Sequence, residues 1–217
     1  MYFLEKALEF IFLPSCGVCG KLGEGYLCTK CEKELEKYVI APADKYPVQR
    51  RENDTILHVF AYKDLVRNLI ISYKFNDKSY LYKTFCEFMV KNKKVFDFIK
   101  SYDIIIPVPM HKSKIRKRGY NQSELIAKEL AKKLEIKIDT KVLIKIRNNK
   151  VQSTLNKKER EENTKNVYKI RNEAKIKNKK ILIFDDIYTT GATVNACVQE
   201  LKKANVAKIG ILTLAKD

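Results

Sequence analysis

A chain of 217 residues, 45% of them hydrophobic, can close one sizeable core with a small appendage, which excludes a wholly disordered protein. No run approaches the ~18 to 20 apolar residues of a membrane span. The 44 Lys and Arg against 26 Asp and Glu leave a formal charge of +18, which suits polyanions such as nucleic acid, anionic lipid or phosphorylated metabolites and equally suits a plain solvated lysine surface.

The N-terminal stretch MYFLEKALEFIFLPSC carries Glu5 and Glu9 within its apolar part, lacks a basic start and has no small-residue cleavage pattern. A secretory signal is therefore not expected, and the expected location is cytoplasmic. Phe3, Leu4, Leu8, Ile11 and Phe12 fall near one helical face, which predicts a short amphipathic helix packed on the module that follows.

That module is CGVCGKLGEGYLCTKC. Cys16, Cys19, Cys28 and Cys31 form two CxxC pairs eight residues apart, each able to place two thiolates on one turn, so that facing turns make a tetrahedral sulfur cage. The same ligands suit an iron–sulfur cluster, but four closed thiolates with no other chemistry nearby favour structural Zn2+. Cys86 and Cys197 sit among apolar helix residues and read as small buried hydrophobes. The stretch APADKYPVQRREND, with Pro42 and Pro47 and little periodicity, marks a junction between a module at residues 1–50 and a domain at residues 51–217.

The larger domain alternates short β-rich runs with helical segments. TILHVFAY, YDIIIPVP, KKILIFDD and KIGILTLA read as strands, and KDLVRNLIISYKF, YLYKTFCEFMVKN, NQSELIAKELAKKL and TVNACVQELKKA as helices. In the third of these helices Leu125, Ile126, Leu130, Ala131 and Leu134 are expected to face inward. Strands that are apolar on both faces, alternating with amphipathic helices, predict an α/β fold with a parallel sheet flanked by helices. Ligands of such sheets bind beyond the carboxyl ends of the strands.

ILIFDDIYTTGAT is therefore the stretch to watch. Ile181 to Phe184 form the expected strand, Asp185 and Asp186 leave its carboxyl end, and Thr189 to Thr193 turn into the next helix. A helix N-terminus, a glycine and three threonine hydroxyls suit a phosphate, while the two acids suit hydroxyl groups or a Mg2+ between ligand oxygens. A sugar phosphate satisfies both halves. ILIFDD also looks like a Walker B strand, but the glycines that could supply a P-loop, Gly20 and Gly25, are followed by Tyr26 and lie inside the cysteine module. Arginine is scarce, eight of the 44 cations, so Arg116, Arg118, Arg147 and Arg160 are expected in loops around the ligand, KSKIRKR among them. Tyr73, Lys74 and Phe75 read as a packed helix end, and Tyr120 and Asn121 as the opening of a helix.

The thirteen residues resemble the phosphoribosyl pyrophosphate motif of type I phosphoribosyltransferases. With the cysteine module, YKFNDKSYL, IIPVPMHKSKIRKRGYNQSELIA and VQSTLNKKEREENTKNVYKI, nearly the whole chain resembles the ComF family, associated with DNA uptake in natural competence. The resemblance implies that Asp185 and Asp186 approach the ribose hydroxyls directly or through Mg2+, and that Thr189, Thr190, Gly191, Ala192 and Thr193 hold the 5-phosphate. It implies a pyrophosphate loop at Pro109, Met110, His111 and Lys112, with Arg116 and Arg118 supplying cations. A flexible hood follows from Arg147 to Asn163, where Gln152, Arg160 and Asn163 match the family pattern. The implied activity is transfer of, or regulation by, a phosphoribosyl group. The alternative is a protein without turnover that handles single-stranded DNA, alone or with other competence proteins, through lysine-rich loops and aromatic platforms.

Overall fold

The computed structural model describes residues 13–40, 49–51, 54–147 and 167–217. The expected N-terminal helix, most of the junction, and Gln152, Arg160 and Asn163 lie outside the described residues. In chain order the elements are α1 (Thr29–Glu36), β1 (Gln49–Arg51), β2 (Asp54–Ala61), α2 (Asp64–Phe75), α3 (Leu81–Lys91), α4 (Lys93–Lys100) and β3 (Ile104–Pro107). There follow α5 (Lys112–Arg118), α6 (Gln122–Leu134), β4 (Lys137–Ile138), β5 (Leu143–Lys145), β6 (Tyr168–Ile170), β7 (Lys180–Tyr188), α7 (Ala192–Lys202) and β8 (Lys208–Lys216).

Six strands form one sheet in the order β1-β2-β8-β7-β3-β4, and β5 pairs with β6 in a separate ribbon. All pairings from β2 to β4 are parallel, and β1 adds an antiparallel edge. The run Ile181–Phe184 is buried on both faces, as strands covered by helices on each side must be. Leu182 and Phe184 join a core with α2, α3, α4 and α6, whereas Ile181 and Ile183 join a second core with α7 and the β5–β6 ribbon. The fold class is thus the one the alternating pattern predicts.

Three local features depart from the sequence reading. KSKIRKR is a helix, α5, not a loop: His111 Nδ1 accepts a hydrogen bond from Ser113 N at 3.3 Å, and Gly119 closes the helix at φ 89°. Histidine is not a residue that pattern rules expect in a capping role. Strand β7 continues through both acids to Tyr188 because β8 pairs with it that far (Asp185↔Thr213, Tyr188↔Lys216). In α6, Leu125 is half-buried, and Ala127 takes a place in the core.

The cysteine module shares the first core. Leu27 and Leu35 are fully buried with Phe85 and Met89 of α3. Tyr26 N donates to Glu87 Oε2 (2.9 Å), and Thr84 Oγ1 donates to Tyr26 O (2.9 Å). Gly17 lies so close to Thr84 that a Cβ there would overlap its hydroxyl. Cys86 and Cys197 are buried, and burial pushes both thiols well above their ordinary range. Among the described residues, no helix is long and apolar enough to cross a membrane.

Candidate ligand-binding site

The site arises where β3 ends before β7 does. Their ladder stops at Pro107↔Phe184, with Val108 N still donating to Phe184 O (2.9 Å), and the chain then leaves for α5. Asp185 and Asp186 therefore stand on a strand edge that no longer has a neighbour on that side. A cavity of about 340 Å3 opens there. Val108, Pro109 and Met110 form one wall, and the start of α6 (Asn121, Gln122, Ser123) forms another. Lys74, Lys114 and Arg118 reach in from α2 and α5, and Lys145 and Tyr168 from the β5–β6 ribbon.

Asp185 is only 7% exposed. Its Oδ1 accepts from Ser123 Oγ (3.1 Å) and Asp186 N (2.9 Å). Burial, and then the neighbouring Asp186 carboxylate, raise its pKa from 3.8 to about 7. Asp186 Oδ1 accepts from Ile187 N (2.8 Å), and its Oδ2 pairs with Lys74 Nζ at 2.7 Å. Asn121 fixes the α6 wall: its Oδ1 accepts from Ser123 N (3.2 Å), and its Nδ2 donates to Val108 O (3.0 Å). Gln122 is 2% exposed, lines the cavity and has an Oε1 without a partner among the described residues, an acceptor that a ligand donor would satisfy.

Cations ring the remainder. Lys145 Nζ lies 5.4 Å from the centroid of the Tyr168 ring, and burial, then Lys114, lower its pKa to about 8. Arg118 covers the ring of Phe75 at 5.0 Å.

Beyond the acids the chain turns at Gly191 (φ 75°), the residue that opens α7 and that has no side chain to cap it. A recess of about 40 Å3 forms between Asp185, Tyr188, Thr189, Gly191, Ala192 and Thr193. A Cβ at Gly191 would fall on the Tyr188 hydroxyl, and the Tyr188 ring is backed by that of His58 at 4.8 Å. Gly191→Ala should therefore cost roughly 2–4 kcal/mol, combining left-handed strain with overpacking, and a urea midpoint shift measures it.

Of the residues the sequence pointed to, Asp185, Asp186, Thr189, Thr193, Pro109, Met110 and Arg118 line the cavity. Gly191 and Ala192 border the recess. Thr190, Lys112 and Arg116 are exposed and line neither, and His111 is engaged in capping α5. Arg147 is exposed and lines neither, and Arg160 lies outside the described residues. Sequence reasoning missed Lys74, Lys114, Lys145, Gln122, Ser123 and Tyr168 as wall residues.

The acid pair fits a bound Mg2+ poorly. Asp186 Oδ2 already faces the Lys74 ammonium, whose positive charge opposes a second cation at the same place, and a small hard cation needs near-octahedral oxygen ligands. The cysteine cluster is different. Its four sulfurs lie within 4.8 Å of one another, and Cys19 Sγ and Cys28 Sγ are 3.7 Å apart. Tetrahedral bonds of ~2.3 Å demand sulfur spacings of ~3.8 Å, so the cluster can hold a metal ion.

Residues 121–217 match the family model described as phosphoribosyl transferase domain, a range that begins at Asn121 and includes both acids and the Gly191 turn. Over 212 residues the chain is 26% identical to Competence protein F of Haemophilus influenzae, covering 94% of this chain and 85% of that protein. It is 28% identical to Competence protein ComFC of Streptococcus pneumoniae over 158 residues, 73% of this chain and 66% of that one. The chain is thus similar to proteins named Competence protein F and ComFC, and its C-terminal part matches a phosphoribosyl transferase domain. Among solved structures, adenine phosphoribosyltransferase from Saccharomyces cerevisiae aligns over 86% of this chain and 88% of that one, at 14% identity and a TM-score of 0.44. At that score the likeness adds no argument to the topology described above.

Proposed function

We propose that the cavity binds phosphoribosyl pyrophosphate or a related sugar phosphate and supports transfer of its phosphoribosyl group. The observation that carries this reading is the sequestered pair Asp185–Asp186, set directly before a glycine-opened helix and inside a ring of four cations. The pair accepts the ribose hydroxyls, the Thr189–Thr193 turn takes the 5-phosphate, and Lys114, Arg118 and Lys145 face the pyrophosphate. In the transfer a nucleophile bonds to C1 of the ribose while the C1–O bond breaks, and pyrophosphate leaves with the electron pair. The cations stabilise the negative charge that develops on it. Mg2+ is assigned to the ligand's own pyrophosphate oxygens, and Zn2+ to the four cysteines. The name Competence protein F borne by a relative supports placing this activity in DNA uptake.

Calorimetric titration with phosphoribosyl pyrophosphate and Mg2+, followed by a pyrophosphate-release assay over a panel of bases, tests the reading. Binding is expected in the micromolar to millimolar range, as for ordinary substrates, and Asp186→Asn should weaken it about tenfold or more. No heat beyond dilution in the wild-type protein would end it.

A second reading is single-stranded DNA handling without turnover. One observation favours it: Phe75 is 67% exposed beside Arg118 on a chain of charge +18, and an exposed ring next to a cation supports a stacking role. Affinity for a mixed-sequence single strand should then fall steeply with salt, and a flat dependence removes this reading.

A further inference from the structure

The acid pair is accompanied by a cation of the chain's own. Lys74 is the penultimate residue of α2, and its position is fixed from two sides. The preceding residue, Tyr73, is fully buried and donates its hydroxyl to Gln122 O at 2.9 Å, while Tyr120 donates its hydroxyl to Tyr73 O. The end of α2 is thereby fastened to the start of α6, the same wall that holds Ser123 against Asp185. The carboxyl end of a helix also favours a positive charge. The Lys74 and Asp186 side chains are only 16% and 14% exposed, so the 2.7 Å contact lies largely away from water, where a charge-assisted bond is strong. An ammonium at this place sets a positive charge directly against Asp186.

We propose that Lys74 is the resident counter-ion of the sugar site, orienting Asp186 so that the ribose end of a sugar phosphate binds without a divalent cation. The inference rests on the proposed ligand class and adds to it. An ammonium has three donors, and the two not used on Asp186 can reach ligand oxygens, while the Asp186 oxygens keep lone pairs for ribose hydroxyls. Lys74 acts here as a positioning and specificity residue.

The probe is ribose 5-phosphate, which lacks the pyrophosphate that would carry in its own Mg2+. Calorimetry on the full chain compares buffer stripped of divalent ions by chelating resin with the same buffer holding millimolar Mg2+. The protein itself is not exposed to a chelator, so metal at the four cysteines is retained. Wild-type affinities should agree within about twofold between the two buffers, and Lys74→Met should lose about tenfold or more in the stripped buffer. Lys74→Arg should keep the metal independence, which a merely structural role would not require. A wild-type affinity that collapses about tenfold without Mg2+ overturns the proposal, even if Lys74→Met does not fold. So does a folded Lys74→Met protein that binds as tightly as wild type in the stripped buffer. Heat from ribose 5-phosphate only in Mg2+ defeats this inference and leaves the ligand class standing. Absence of heat from wild type in either buffer removes both.

Discussion

Asp185→Asn should stabilise the protein at pH 8 while removing its hold on a sugar phosphate. The native carboxyl is buried beside a second carboxylate, which raises its pKa from 3.8 to about 7. An acid whose pKa is raised by folding destabilises the native state wherever it must ionise. Below pH 3.8 the group is protonated in both states and contributes no difference. Between 3.8 and about 7 the folded state holds the extra proton, so stability falls as pH rises, by about 1.4 kcal/mol per pH unit at most. Above about 7 the full cost remains. Asparagine keeps an Oδ1 to accept from Ser123 Oγ and Asp186 N, so the local bonds survive the change. Urea midpoints of variant and wild type should converge near pH 4 and separate up to about pH 7. Above that they should stay apart by roughly 1–3 kcal/mol, since relaxation and water entry reduce the ideal figure. Ribose 5-phosphate affinity should drop in the same variant, because an amide is a weaker acceptor for hydroxyls than a carboxylate. A gain independent of pH would show that burial of charge is not the cause. Such a trade of stability for a binding group is what a functional acid in an apolar setting leads one to expect.

The residues that make this site differ in how openly the sequence declares them. Ile181–Phe184 reads as a covered strand because four consecutive apolar residues leave no polar face, and the carboxyl-end rule then places Asp185 and Asp186 without any knowledge of their neighbours. The cysteines are legible for the same reason: their chemistry is written in local spacing. Lys74 and Lys145 are not. In a chain with so many lysines, a lysine ending an amphipathic helix or a short strand looks like a solvated one. What brings them inward is the fastening of α2 to α6 through Tyr73 and the pairing of Lys145 with Tyr168 across the β5–β6 ribbon. Both are contacts between segments distant in the chain. The same applies to Gln122, whose buried orphan oxygen depends on where α6 begins relative to β3. Of the scarce arginines singled out in the sequence, Arg118 is the one among the described residues that lines the cavity, while lysines supply its other cations. Tyr73 is the packed helix end that the sequence suggests, but Phe75, two residues on, faces solvent under Arg118.

Removing the metal proposed for the four cysteines, or making Cys28→Ser, should disturb more than the cysteine knuckle. In zinc peptides the ion contributes ~10 to 16 kcal/mol and folding is impossible without it. Here the cysteine module also rests on α3, through fully buried Leu27, the Thr84 and Glu87 bonds to Tyr26, and the close approach of Gly17. Those contacts keep part of the module in place when the metal goes, so the loss should be smaller than in a peptide, on the order of 3–5 kcal/mol against a typical total of ~5 to 15. The exposed core is shared, and the loss should therefore spread into α3, whose Phe85 and Met89 pack with Leu27 and Leu35. Hydrogen exchange at α3 amides should accelerate together with that of residues 16–31 after metal removal, with a lowered thermal midpoint restored by added Zn2+. The cavity walls come from α2, the segment after β3, α5, α6, the β5–β6 ribbon and β7, none of them in the cysteine module, so ribose 5-phosphate affinity should change less than stability does. Were α3 exchange unaltered while the knuckle alone opened, the module would be an appendage with its own stability, and the contacts to Thr84 and Glu87 would be of little energetic consequence.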